Sequence, residues 1–166
     1  MQWDKEIYNN LIICYTPARG LITNCVEQAA AISCQHYRIL ESTPNFRLEN
    51  YQVDVQKEDG DSKERVDVNE AQILDEILST GKTDCKAGIM INREKYKIIS
   101  YDAYFKTAYL SKSNGGACAI KTNQTIVFAS WNKDLVTGGV RSFHQNASFC
   151  NERCRKFAQS LVAVGL

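Results

Sequence analysis

The side chains best suited to chemistry in this sequence are seven cysteines, at positions 14, 25, 34, 85, 118, 150 and 154, and two histidines, His36 and His144. A cysteine hydrolase needs a thiolate, a histidine base and an orienting group that meet in space. No cysteine stands at a glycine-rich helix start, the setting that lowers a thiol pKa. Metal binding would draw on Cys34 with His36, or on Cys150 with Cys154. The second pair is spaced i, i+4 on one stripe with Phe157 and Leu161, which is a pattern of burial. Structural zinc sites carry two paired ligand knuckles, and this chain offers one poor pair. Asn114-Gly115-Gly116 joins two strand-like runs and opens no helix, so it is not a phosphate loop. These residues point to a protein without catalysis, metal or cofactor.

The odd, scattered set of cysteines falls in apolar patterns and reads as reduced packing residues. The 166 residues have the size of one domain, taken as 1–166. Hydrophobic residues make up 44% and charged residues 23%, enough to bury a core without staples. Twenty Lys+Arg against nineteen Asp+Glu leave a formal charge of +1. That balance argues against a broad electrostatic nucleic-acid binder. No apolar run approaches the ~20 residues of a membrane span. Residues 1–6 lack a signal core, and neither Gln2 nor the end at 164–166 is a lipidation signal. The expectation is a soluble intracellular protein with no integral membrane association.

The elements that must position these residues follow from periodicity. Trp3, Ile7, Leu11 and Cys14 form one apolar helical stripe, ended by Thr16-Pro17. Residues 21–41 read as two strands, with 21–26 first, 29–34 belonging to it or to its partner, and 37–40 after a break at 35–36; 45–48 reads as a short helical turn. Residues 51–56 and 65–68 alternate apolar and polar around a charged Asp-Gly tip, predicting a β-hairpin. Asn69 is placed to cap a helix with the stripe Ile73, Leu74, Ile77 and Leu78, ended by Gly81. Strand-like runs at 87–91, 95–99, 105–110, 117–121 and 125–131 imply an antiparallel meander. Ala147, Cys150, Cys154, Phe157 and Leu161 mark the inner face of a last helix, with Glu152, Arg153, Arg155 and Lys156 on its other face. The predicted fold class is α+β, a central antiparallel β-sheet with the N- and C-terminal helices packed on one face. By pattern alone, Trp3 is a core anchor, and Lys95 and Lys112 are solvated charges at strand edges or turns.

Together these motifs resemble the profilin family, nearly end to end. Trp3 with Ile7 is similar to the family's N-terminal tryptophan helix. Residues 87–96 resemble its central strand pair with a lysine, and Lys112-Ser113-Asn114-Gly115-Gly116 its Lys-x-x-Gly-Gly turn. Lys121-Thr122-Asn123-Gln124-Thr125-Ile126-Val127 resembles its Lys-Thr-x-x-x-Leu-Val strand. Gly138-Gly139 and residues 151–154 resemble the turn and start of its last helix. The inserted hairpin, about 51–69, resembles one found in apicomplexan profilins, which suggests a protist member of the alveolate kind. Residues 140–148 look like extra length before the last helix.

The resemblance implies a sheet of about seven antiparallel strands between helices, and a non-catalytic regulator of the actin cytoskeleton in the cytoplasm. It implies an actin monomer as partner, on a face including Lys95, Lys112, Gly139 and Asn151, and proline-rich proteins bound at Trp3. Some family members also bind phosphoinositides. A cationic rim of this kind suits an acidic partner and raises the association rate. The chain departs from the family where arginines on actin-facing strands become Ser100 and Leu110, and where a helix glutamate becomes Lys156. In the proline-rich groove, a tyrosine position is Glu6, and C-terminal histidine and tyrosine positions are Ser160 and Leu166. These departures predict weakened binding at both sites. The alternative they motivate is a profilin-fold subunit of a larger ciliary or axonemal assembly, with both sites repurposed.

Overall fold

The computed structural model describes Trp3 and residues 5–166. A helical turn, Tyr8–Ile12, opens the chain and closes with a hydrogen bond from the Ile13 N–H to the Tyr8 carbonyl, five residues back. The helix expected to reach Cys14 stops here. Ile13 is extended, and β1 (Cys14–Thr16) pairs with β2 (Gly20–Ile22). Pro17 drives Thr16 out of the helical region, and Tyr15 and Thr16 favour a strand. Cys14 still reaches the core, from a strand instead of a helix.

The body is a seven-stranded antiparallel sheet in the order β4-β3-β11-β10-β9-β8-β7. Its strands are β3 (Gln28–Ser33), β4 (Ile39–Ser42), β7 (Ile89–Ile91), β8 (Glu94–Asp102), β9 (Thr107–Lys112), β10 (Gly115–Lys121) and β11 (Thr125–Asn132). The meander from β7 to β11 matches the expected one. Asn92 and Arg93, both with positive φ, make the two-residue turn between β7 and β8, the geometry that suits strand twist. Gly115 opens β10 where a Cβ would stand 1.9 Å from the Trp131 carbonyl oxygen, so a side chain is excluded.

Several boundaries differ from expectation, among them the strand expected at 105–110, which runs from Thr107 to Lys112. The run at 21–26 is a strand only to Ile22, because Asn24 takes a left-handed conformation. Left-handed His36 and Tyr37 likewise delay β4 to Ile39. Residues 45–48 form no helical turn; Phe46 leaves a tight turn in extended chain and packs 5.4 Å from the Phe128 ring.

Each face of the sheet carries its own core. On one face lie the N-terminal turn and α2 (Ala147–Ala163), burying Leu11, Ile22, Cys118, Val127, Phe157 and Leu161. Arg153 on α2 donates to the carbonyls of Asn10 and Ile13 and fastens the turn to the helix. The terminal helical segments therefore share one face, as the pattern predicted. On the other face lie α1 (Glu70–Thr80) and the inserted hairpin of β5 (Asn50–Gln56) and β6 (Lys63–Asn69). Asn69 caps α1 by accepting from the Gln72 N–H, and left-handed Gly81 ends it. Glu70 is fully buried at the helix start. Its carboxylate accepts from the Glu49 N–H, the Tyr51 hydroxyl and the Arg93 N–H, joining hairpin, helix and the β7–β8 turn.

All seven cysteines are free, and five of them are buried. Burial pushes the Cys25 thiol up to about 12, with the neighbouring Cys14 adding to the effect. Burial likewise raises Cys150, while for Cys154 a hydrogen bond with Cys118 leads and burial adds. These thiols are packing residues, not nucleophiles.

Candidate protein-interaction surface

Helix α2 lies along β10 and β11, leaving the same face of β8 and β9 uncovered. Cross-strand partners share a face, so the register settles which side chains point there. Ser100 pairs with Tyr109, and Lys97 with Ser111. Tyr109 packs against the α2-side core, which puts Lys97 on that side too, and Lys95 by alternation. Lys95, Lys97 and Ser100 are exposed. The flank of α2 that borders this face carries Asn151 and Arg155, one turn apart. Arg155 reaches across to donate to the Tyr109 hydroxyl at 3.4 Å. Asn151 is half-buried, and its side-chain oxygen has no hydrogen-bond donor among the described residues. The result is an open sheet face with lysines on the far strand and a polar helix flank as its near wall.

Lys112 borders it at one end but turns its charge inward. It shares the parity of Ala108 and Leu110, which belong to the opposite core, and its side chain is only 3% exposed. Its ammonium pairs with Glu27 and, at 2.7 Å, with Glu94, and lies 5.8 Å from the centroid of the Tyr96 ring. Glu27 also accepts from Ser130 Oγ and Asn132 Nδ2. The expectation of a solvated lysine is therefore corrected: two carboxylates and an aromatic face hold the charge inside. A hairpin turn beside glycines looks exposed in sequence, but strand parity turns this side chain inward.

Gly139 lies in the connection between β11 and α2. Its φ is +127°, and a Cβ there would stand 2.7 Å from the Leu21 carbonyl oxygen. Its neighbour Gly138 exchanges both backbone hydrogen bonds with Thr23. Close approach to β2 is reason enough for glycine at this position. Trp3 stands apart from the open face, half-buried and edge-on to Phe157 at 6.5 Å between centroids.

The structure thus brings Lys95 and Asn151 to the borders of one surface and sets Trp3 apart from it, while Lys112, its ammonium held inside, lines the wall of a concavity shared with Lys95, Lys97 and Ser111. Of the departures noted in sequence, Ser100 lies on the open face, whereas Leu110 is 2% exposed in the opposite core. Lys156 is exposed and paired with Glu152 at 2.9 Å. Lys97 and Tyr109 went unnoticed in sequence. The alternation Lys95-Tyr96-Lys97 was the available signal, since a buried aromatic between two lysines sets both on the outer face.

A family model described as Profilin matches residues 1–166. The chain belongs to the profilin family. A profilin of Tetrahymena pyriformis is 33% identical over 118 residues, covering 70% of this chain and 72% of the relative. Among solved structures, Acanthamoeba castellanii profilin II superposes with a TM-score of 0.64 at 16% identity, over 99% of each chain. Mouse profilin IIa, solved in complex with a double repeat from the FH1 domain of mDia1, gives a TM-score of 0.52 at 11% identity, covering 86% of this chain and 90% of its own. The curled seven-stranded sheet with α1 and the C-terminal helix is the profilin α+β fold. Membership places the chain among the actin-binding regulators of the cytoskeleton. Among the described residues no helix is long and apolar enough to cross a membrane.

Proposed function

We propose that this profilin binds monomeric actin through the uncovered face of β8 and β9 and the adjoining flank of α2, and acts without catalysis. The observation that carries the proposal is the half-covered sheet: α2 shields β10 and β11 and leaves a neighbouring face lined by Lys95 and Lys97. Exposed cations there suit an acidic partner and speed its encounter. Asn151 supplies a polar edge whose oxygen local folding leaves unpaired. Gly139 contributes through the path of the chain ahead of α2, and Lys112 by fixing the strands beneath the face.

Titration calorimetry with monomeric actin, at low and physiological salt, tests this reading. Micromolar binding is expected. It should weaken at least tenfold in the Lys95→Glu/Lys97→Glu double variant, most strongly at low salt, and more modestly in Asn151→Asp. No heat of binding from a protein shown to be folded overturns it. The axonemal-subunit alternative would then take precedence.

A proline-rich ligand, such as the FH1 repeat bound to the mouse neighbour, is the second partner we propose, at Trp3. Such ligands stack on several aromatic faces. Here Trp3 is half-buried edge-on to Phe157, with Ser160 and Leu166 at the positions the family resemblance makes aromatic. Weak binding is the consequence.

A further inference from the structure

Among the described residues, strand β5 has β6 as its only strand partner. The bonds that close the hairpin show which backbone groups this pairing leaves over. The Lys57 N–H donates to the Ser62 carbonyl at one end, and the Glu70 N–H donates to the Glu49 carbonyl at the other. Odd-numbered residues of β5 therefore bond to β6, and by alternation the N–H and C=O groups of Asn50, Gln52, Asp54 and Gln56 point away from it. None of these outward groups has a backbone partner among the described residues. We propose that this edge joins a second copy of the chain, with β5 paired antiparallel to β5 about a two-fold axis at Val53.

Strand edges are normally kept short, bulged or charged, because an open one invites another chain. The other edges of this molecule follow that rule. β4 has four residues and a register shift against β3, and β7 has three residues. The outer edge of β6 carries Lys63 and Arg65, and the Cys85 thiol lies 3.8 Å from its Asp67 carbonyl. β5 has none of these guards. It runs for seven residues in unbroken register, with no proline or lysine and one charge, Asp54. Its solvent-side Gln52 is held by Asp67 and Arg65 across the hairpin, so the strand is already straight and ordered when a second one arrives.

The strand's own sequence selects the occupant. Asn50-Tyr51-Gln52-Val53-Asp54-Val55-Gln56 alternates polar and apolar identically from either end, as an isologous contact demands. With the axis at Val53, the outward groups of Gln52 meet those of Asp54 in the second copy, and those of Asn50 meet those of Gln56. Each such pair can exchange two backbone hydrogen bonds. Tyr51 then stands across from Val55, so the apolar row continues through the axis, and Lys57 falls opposite Glu49, a favourable cross-strand charge pair. Neighbouring registers are worse. Moving the axis to Asp54 opposes two carboxylates, and moving it to Gln52 opposes Lys57 and Arg47. The hairpin packs on the α1 side of the sheet, so this pairing does not use the proposed actin face on the α2 side.

Sedimentation velocity of the full chain reads the dimer directly. One strand pair buries little area, so half-association is expected at roughly 10–100 µM, in the weak class of interfaces. Asp54→Pro removes an outward N–H and leaves the bonds to β6 in place. It should weaken association at least tenfold while the circular dichroism spectrum and Tm stay near wild type. Gln52→Asp, which keeps the backbone intact and sets a second acid opposite Asp54, should weaken it as well, and Gln52→Lys should tighten it severalfold. Val53→Cys reports the axis. Facing residues of a non-hydrogen-bonded pair stand about 4.5 Å apart at Cα, within disulfide reach, so oxidised glutathione should yield a covalent dimer. Val55→Cys, which faces Tyr51, should not, and the wild type sets the baseline for the chain's own free thiols. A chain that stays monomeric through this range overturns the proposal. A dimer indifferent to both Asp54→Pro and Gln52→Asp overturns it too, by placing the contact elsewhere. Equal cross-linking of the two cysteine variants rejects the axis at Val53. None of these readouts depends on actin, so this proposal and the actin-binding one fail separately.

Discussion

Replacing Lys112 with methionine should damage stability far more than replacing Lys95, although the two lysines look alike in sequence. Methionine keeps most of the apolar stem and removes only the charge. What it leaves is Glu27 and Glu94, with side chains 18% and 43% exposed, facing each other without the ammonium that separated them. Breaking a buried ion pair by deleting one partner costs about 3–5 kcal/mol. Two features place this site at the low end. Glu27 keeps the Ser130 hydroxyl and the Asn132 amide, and Glu94 can turn toward water. A loss of about 3 kcal/mol is expected, a large share of the 5–15 kcal/mol that holds a typical domain together. With a urea slope of about 2 kcal/mol/M, the unfolding midpoint should fall by about 1.5 M. Trp131, on the strand that carries Ser130, gives a fluorescence signal close to the perturbation. Lys95→Met, at an exposed position, should stay within about 0.5 kcal/mol of wild type. A fully stable Lys112→Met protein would refute the internal pairing, and loss of actin binding in that stable protein would make Lys112 a contact residue.

Two further outcomes follow from the packing. Glu70→Ala strips the acceptor from two part-buried backbone N–H groups and the Tyr51 hydroxyl, and should cost about 2 kcal/mol. Amide exchange should quicken first in β5 and β6, and unchanged hairpin protection would show that Glu70 does not anchor the insertion. The Cys25 thiol, held up to about 12 by burial, ionises in the unfolded chain near 9.0. Between those values the unfolded state binds fewer protons, so stability is full below pH 9 and falls as pH rises, by about 1.4 kcal/mol per unit for this thiol. Urea midpoints from pH 8 to 10.5 should fall less steeply in Cys25→Ala than in wild type, and equal slopes would refute the argument.

Periodicity was enough to read the meander, the inserted hairpin and both capped helices, because each has a local cause. Asn69 and Gly81 bracket α1, and the stripe from Cys150 to Leu161 marks α2. The N-terminal segment misled for the same reason. Trp3, Ile7, Leu11 and Cys14 have helical spacing, but Cys14 meets the core from a strand, and only Pro17 hinted at the break. The open face was half legible. Lys95 and Asn151 could be named from the family resemblance, yet whether a lysine faces solvent or core depends on strand register. That register is fixed by the sheet as a whole, through pairings such as Ala29 with Ala129, which no window of sequence contains.

Burial of Lys112 also changes what the open face must do for itself. A cation already matched by two carboxylates has little field to offer a partner, so Lys112 cannot supply the rim's charge. Any attraction for an acidic surface then comes from Lys95 and Lys97, which stand on one strand with no carboxylate paired to them among the described residues. Exposed charges of this kind are screened by salt over about 8 Å at physiological ionic strength. They would therefore act mainly on the rate of encounter, while the area and fit of the sheet and the α2 flank decide how long a partner stays. Reversing Lys95 and Lys97 should accordingly slow association strongly at low salt and barely alter dissociation. A change confined to the dissociation rate would mean that these lysines make close, desolvated contacts, and that the face binds its partner by pairing instead of steering.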